Sequence, residues 1–112
     1  MFKNYLSYQF AQGFDRACRA SEVSAAVKEK LVRSSEKMLD HFAKSLTAKD
    51  STEEAKFFFV SLLCLRDCRD ILSESGLVVP EIQSKYDVLH RRLEQLCLSG
   101  CKTEKNQLRL LG

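Results

Sequence analysis

The chain has no tryptophan, one proline and four glycines in 112 residues. Proline and glycine punctuate short strands and tight turns, so their scarcity argues against an all-β design and favours long uninterrupted helices. Histidine is nearly as scarce. His41 and His90 are the two in the chain, each single on its segment, and neither is read as half of a catalytic pair with a carboxylate. There is no Gly-rich phosphate loop, no Walker pattern and no metalloprotease motif. Ser34 and Ser35 have no accompanying base. The expectation is therefore a non-enzyme with no cofactor. Long hydrophobic runs are missing too. Stretches such as "FFFV" and "LVV" fall far short of the roughly 18 apolar residues of a membrane span. The opening "MFKNYLSYQFAQGF" lacks the apolar core of a secretory signal, which leads to the expectation of a cytoplasmic protein with reduced thiols and no membrane partner. An excess of one charge is also lacking. The net charge of +3 is too small to define a nucleic-acid partner.

What the chain does contain is a globular balance, 45% hydrophobic and 29% charged residues, at a length that makes one domain. Phe2, Leu6, Phe10, Phe14 and Cys18 recur about every four residues, with Ala11 and Ala17 beside them. This is one face of an amphipathic helix, slightly weakened by Gly13. Ser24 is a good N-cap for a second helix carrying Val27, Leu31, Ser34, Met38, Phe42 and Leu46. Asp50 and Ser51 stand three residues before Glu53 and Glu54, so either pair can form a capping box for a third helix. Gly76 suits its C-terminus, and Pro80 the first position of a fourth helix bearing Ile82, Tyr86, Leu89, Leu93 and Leu96. Gly100 is expected to stop that helix. Four helices with short connections give an all-α, up-down-up-down antiparallel four-helix bundle over residues 1–100, with residues 101–112 as a C-terminal tail.

The third helix is the richest. Phe57, Val60, Ser61, Cys64, Cys68 and Ile71 form one stripe, while Phe58, Phe59, Leu62, Leu63 and Leu65 carry apolar surface much further round. A helix apolar over most of its circumference is covered on several sides. Phe57, Phe58, Phe59, Leu62 and Leu63 are therefore expected at a subunit interface in a homo-oligomer.

Two Cys-x-x-x-Cys pairs, Cys64 with Cys68 and Cys97 with Cys101, raise the question of chemistry. Residues four apart share a helix face, and two such pairs could offer four thiolates to zinc or copper(I), or act as a redox pair. Against this, Gly100 divides the second pair, no histidine completes the set, and Cys64 and Cys68 sit among apolar neighbours where a thiol packs as a small hydrophobe. Packing is the preferred reading, and a thiol-based metal-binding or redox-active bundle is the alternative. Lys30, Arg33, Lys37 and Lys44 follow one side of the second helix, and Arg91 and Arg92 add charge from the fourth. Such a stripe can meet phosphates, although a solvated helix face explains it as well.

Along "LVRSSEKMLDHFAKS" and "EEAKFFFVSLLCLRDCRDILSESGLV" the chain resembles the bacterial four-helix-bundle family encoded in intervening sequences of 23S ribosomal RNA genes, with the accessory variability determinants of diversity-generating retroelements. The likeness runs from about Val23 to Leu96. It rests on Arg33 to Ser35 in the second helix, an aromatic at Phe57, the "SLLCLRDC" segment, and "GLV" before the last helix. Of the family's Asn, Ala, Glu, Gly signature, His41, Ala43, Lys44 and Ser45 hold the places and only the Ala is kept. The resemblance implies a pentameric barrel of bundles. In its retroelement branch it implies nucleic-acid binding and a reverse-transcriptase partner.

Overall fold

Local signals in the chain set where each helix begins and ends. In the computed structural model, which describes the backbone of residues 4–111 and the side chains of residues 4–99, they give α1 (Tyr5–Ala20), α2 (Ala25–Leu46), α3 (Ser51–Glu74) and α4 (Pro80–Leu111). Ser24 caps α2, its Oγ accepting the Val27 N–H at 3.3 Å. Asp50 caps α3 by accepting from the Glu53 N–H at 2.8 Å, and Glu53 reaches back to the Lys49 N–H at 2.7 Å. These bonds satisfy donors that a helix start otherwise leaves orphaned. At the far end of α3, Gly76 adopts φ +66°. The Leu77 N–H then closes on the Leu72 carbonyl at 2.9 Å and the Gly76 N–H on that of Ser73 at 3.0 Å, a complete Schellman motif. Pro80 opens α4, where its missing N–H has no role to lose.

The helices pack in sequential order, α1 on α2, α2 on α3, α3 on α4, with α4 closing against α1. Tyr8 meets Phe42 and Asp15 meets Ser35, while Phe42 also meets Phe58 and Ser61 meets Met38. Partner numbers fall as residue numbers rise, so each neighbour is antiparallel. The result is a four-helix bundle, with no strand among the described residues. Helices α1 and α3 stand diagonally opposite, as do α2 and α4.

The core runs down the middle: Phe14, Cys18, Leu31, Met38, Phe42, Phe58, Leu65, Cys68, Leu89 and Leu93 are sealed from solvent. Its register departs from the expected stripes. In α1 the buried side is Ser7, Ala11, Phe14, Asp15 and Cys18, while Leu6 and Phe10 face outward. A repeat of strictly four residues drifts round a helix of 3.6 per turn, so residues early in the stripe leave the core. In α2 Ser35 and Ser45 are buried while Ser34 is not, and Val27 and Leu46 are only half-buried. In α3 the buried set is Phe58, Ser61, Leu62, Leu65, Cys68 and Leu72; Phe57, Cys64 and Ile71 lie half-buried on its flank. α4 keeps Ile82, Tyr86, Leu89 and Leu93 inside as expected, while Leu96 is only half-buried. Its backbone does not stop at Gly100 but continues as helix to Leu111. One glycine without a cap partner weakens a helix by only about 1 kcal/mol, too little to end one that neighbouring turns sustain.

Two buried hydroxyls, Ser35 and Ser61, tie neighbouring helices across their seams. Asp15 Oδ1 accepts from Ser35 Oγ at 2.7 Å, and its Oδ2 from Arg19 Nε at 2.8 Å. Ser61 Oγ donates to the Met38 carbonyl at 2.8 Å. These small hydroxyls allow close helix approach and leave no buried polar atom of their own unpaired.

Candidate functional site

The three candidate sites of the sequence come apart when placed on the bundle. Of the five expected interface residues, Phe58 is 1% exposed and Leu62 is also buried, both within a single chain. They are core residues, and the interface expectation for them is corrected. Phe58 packs edge-on against Phe42, ring centroids 5.3 Å apart. Phe57 lies over the α2–α3 seam, 6.4 Å from the His41 ring. Phe59 and Leu63, one turn apart on the outward side of α3, stay 52% and 41% exposed. The sequence showed that α3 is apolar nearly all round. Only the flanking helices decide which part of that circumference they cover.

The cysteines also rearrange. Cys68 points into the core toward the Leu31 carbonyl at 3.8 Å. Its neighbour is Cys18 of α1 rather than Cys64, and hydrogen bonding with that thiol, then burial, pushes the Cys68 pKa far above that of an ordinary thiol. Cys64 is half-buried, and its pKa is raised by burial and by Asp67, against the opposing pull of Lys37. Neither thiol has the lowered pKa that marks a reactive cysteine. Cys18 and Cys68 cannot form a disulfide without backbone movement, because no Cα of α1 comes within 8 Å of α3. Cys97 is half-buried, and the side chain of Cys101 lies outside the described residues. The continuous α4 removes the helix end that was expected to divide that pair. Among the described residues no three His, Cys, Asp or Glu side chains converge in a way that could hold a metal ion.

The basic residues fall on opposite sides of the molecule. Lys30, Arg33, Lys37 and Lys44 are exposed along α2; Arg91 and Arg92 are on α4, which is diagonal to it. Two of the α2 cations are already paired within their own helix, Arg33 with Glu29 at 3.1 Å and Lys44 with Asp40 at 3.2 Å. Arg92 lies over the Phe10 ring, 4.4 Å from its centroid, and donates to Ser7 Oγ at 3.3 Å. That is a packing role across the α1–α4 seam. The six cations do not form one surface.

A further constellation was overlooked in the sequence. His90 Nδ1 lies 3.0 Å from Glu94, and its Nε2 lies 3.1 Å from Arg66 Nε. Arginine can only donate, so Nε2 accepts and Nδ1–H donates to the carboxylate; the ring is the neutral Nδ1–H tautomer in this arrangement. The i, i+4 spacing of His90 and Glu94 was the available signal, contrary to the expectation that no carboxylate accompanies this histidine. A histidine held by a glutamate has the outline of a general base. Here its accepting nitrogen is occupied by Arg66, so the group clasps α3 to α4.

Beyond His90, the Tyr86 ring stacks on the imidazole at 5.3 Å and lies under the Arg69 guanidinium at 5.6 Å. Burial raises the Tyr86 pKa, against the opposing effect of Arg69 and Arg66. Compared with known proteins, the chain matches no family model, no curated protein and no solved structure.

Proposed function

We propose that the chain is a non-enzymatic, homo-oligomeric helical scaffold. The observation that carries this reading is the outward ridge of Phe59 and Leu63 on α3, large apolar side chains left half in water by an otherwise well-filled bundle. Burying both in a shared face would remove apolar surface at roughly 25 cal/mol per Å². In a chain this small, association is an economical way to gain burial. The distribution of charge favours a protein partner over a nucleic acid: the α2 cations are partly neutralised in place, and Arg91 and Arg92 belong to the diagonal helix, where Arg92 packs over Phe10. Likeness to the ribosomal-intervening-sequence bundles supports self-association as well and implies five copies.

Light scattering coupled to gel filtration tests this. The expected result is an oligomer that dissociates in a Phe59→Ser, Leu63→Ser double variant whose helical circular dichroism is unchanged. A wild-type chain that stays monomeric at every accessible concentration overturns the proposal. Tight salt-sensitive RNA binding by that monomer would move the reading to nucleic acid.

A further inference from the structure

The Phe59–Leu63 ridge of α3 has a counterpart on the diagonal helix. Leu6, Gln9, Phe10, Gly13 and Arg16 of α1, with Lys85 of α4, line an open groove of about 250 Å³. Leu6 and Phe10 are large apolar side chains left exposed there. Gly13 has no reason within the chain to be glycine. Its φ is not positive, and an added Cβ would meet only the tip of Arg16 at 3.8 Å. Glycine inside a helix weakens it, and here the missing side chain leaves a gap in the α1 surface. The heights of ridge and groove also agree. Tyr8 and Phe58 both meet Phe42, so they stand level in the bundle. Asp15 meets Ser35, which falls between Met38 and Leu31, the α2 carbonyls that Ser61 and Cys68 approach. As diagonal members of an antiparallel bundle, α1 and α3 run parallel. Counting along both from Tyr8 and Phe58, Phe59 is level with Gln9, Leu63 with Gly13, and Asp67 with Ala17, next to Arg16. Asp67 follows Leu63 by one turn and is exposed. Among the described residues Asp67, Arg16 and Lys85 are in no ion pair.

We propose that this groove receives the Phe59–Leu63 ridge of a second copy of the chain, so that copies join head to tail through two different faces. The inference rests on the self-association proposed above and names the surface that meets the ridge. When copies stand side by side at one height, α3 of one lies parallel to α1 of the next. Leu63 then enters the gap over Gly13, Phe59 packs against Leu6 and Phe10, and Asp67 reaches Arg16. Apolar groups meet apolar groups, and the cations at the groove meet a carboxylate that has no partner in its own chain. Contact of one ridge with another ridge would leave Leu6, Phe10 and Arg16 uncovered. The head-to-tail contact covers both apolar faces, and each copy carries one of each, so it propagates and closes into a ring where the rotation between copies permits.

The test mixes two variants of the full chain and follows their size by light scattering coupled to gel filtration. Phe59→Ser with Leu63→Ser loses the ridge and keeps the groove. Leu6→Ser with Gly13→Leu loses the groove and keeps the ridge. Each alone is expected to be monomeric, with helical circular dichroism and melting temperature maintained. Mixed in equal amounts they form a one-to-one dimer, because one intact ridge meets one intact groove and nothing further can add. Arg16→Glu and Asp67→Lys each weaken assembly by about fivefold at low salt, and the two together in one chain restore it, since adjoining copies pair again. A groove variant that assembles like wild type, a mixture that stays monomeric, or a charge exchange that restores nothing overturns the head-to-tail contact while self-association through α3 stands. A wild-type chain that stays monomeric overturns both.

Discussion

Truncating Phe58 and Phe59 to alanine, one at a time, reads the rotation of α3 directly. Phe58 is sealed in the core and meets Phe42 of α2 edge-on. A buried phenylalanine removes about 150–250 Å² from water, which at roughly 25 cal/mol per Å² is about 4–6 kcal/mol as an upper estimate. Part of that area is kept by the alanine methyl, and a cavity penalty is added, so the expected loss is about 3–5 kcal/mol. That is a large part of the roughly 5–15 kcal/mol of a typical domain. Phe59, more than half exposed, should cost about 1 kcal/mol or less in the isolated chain. Urea unfolding followed by circular dichroism, at concentrations below any self-association, measures both. Equal losses, or the larger loss at Phe59, would show that α3 presents a different face to the core and would refute the register described above.

The glycines should respond in opposite ways. At Gly13 a new Cβ would meet only Arg16 Nη2 at 3.8 Å, ordinary contact in a negative-φ helix, so Gly13→Ala is expected to stabilise by about 0.5–1 kcal/mol. Gly76→Ala, forced to hold φ +66°, should destabilise by about 1–2 kcal/mol, and thermal unfolding of the two variants checks the contrast. Ser35→Ala removes a donor to the buried Asp15 carboxylate and is expected to lower stability by about 1–3 kcal/mol, measured by urea unfolding, whereas Ser34→Ala should be near neutral. Stability should fall in alkali. The folded Cys68 thiol holds its proton where an unfolded thiol ionises near pH 8.5, so the native state binds more protons as pH rises. One pH unit above that point the loss is about 1.4 kcal/mol for this group. Melting curves at pH 7 and 9.5 under reducing conditions should show it, and Cys68→Ala should reduce the slope.

The sequence by itself determined the number of helices, their order and most of their ends, because those depend on neighbours within a few residues. Ser24, Asp50, Glu53, Gly76 and Pro80 act through local hydrogen bonds and backbone preferences, and each takes the place its chemistry demands. The fourth helix, with a narrow apolar stripe, also gave its buried face away. Tertiary packing alone decided the rest. α3 offers apolar residues around nearly its whole circumference, so its periodicity admits several rotations, and only α2 and α4 choose Phe58 and Leu62 for the core over Phe59 and Leu63. The pairing of Cys68 with Cys18 and the Arg66–His90–Glu94 clasp join residues 24 to 50 positions apart. No local pattern encodes such meetings, since they depend on how far each helix is turned and slid against its neighbours.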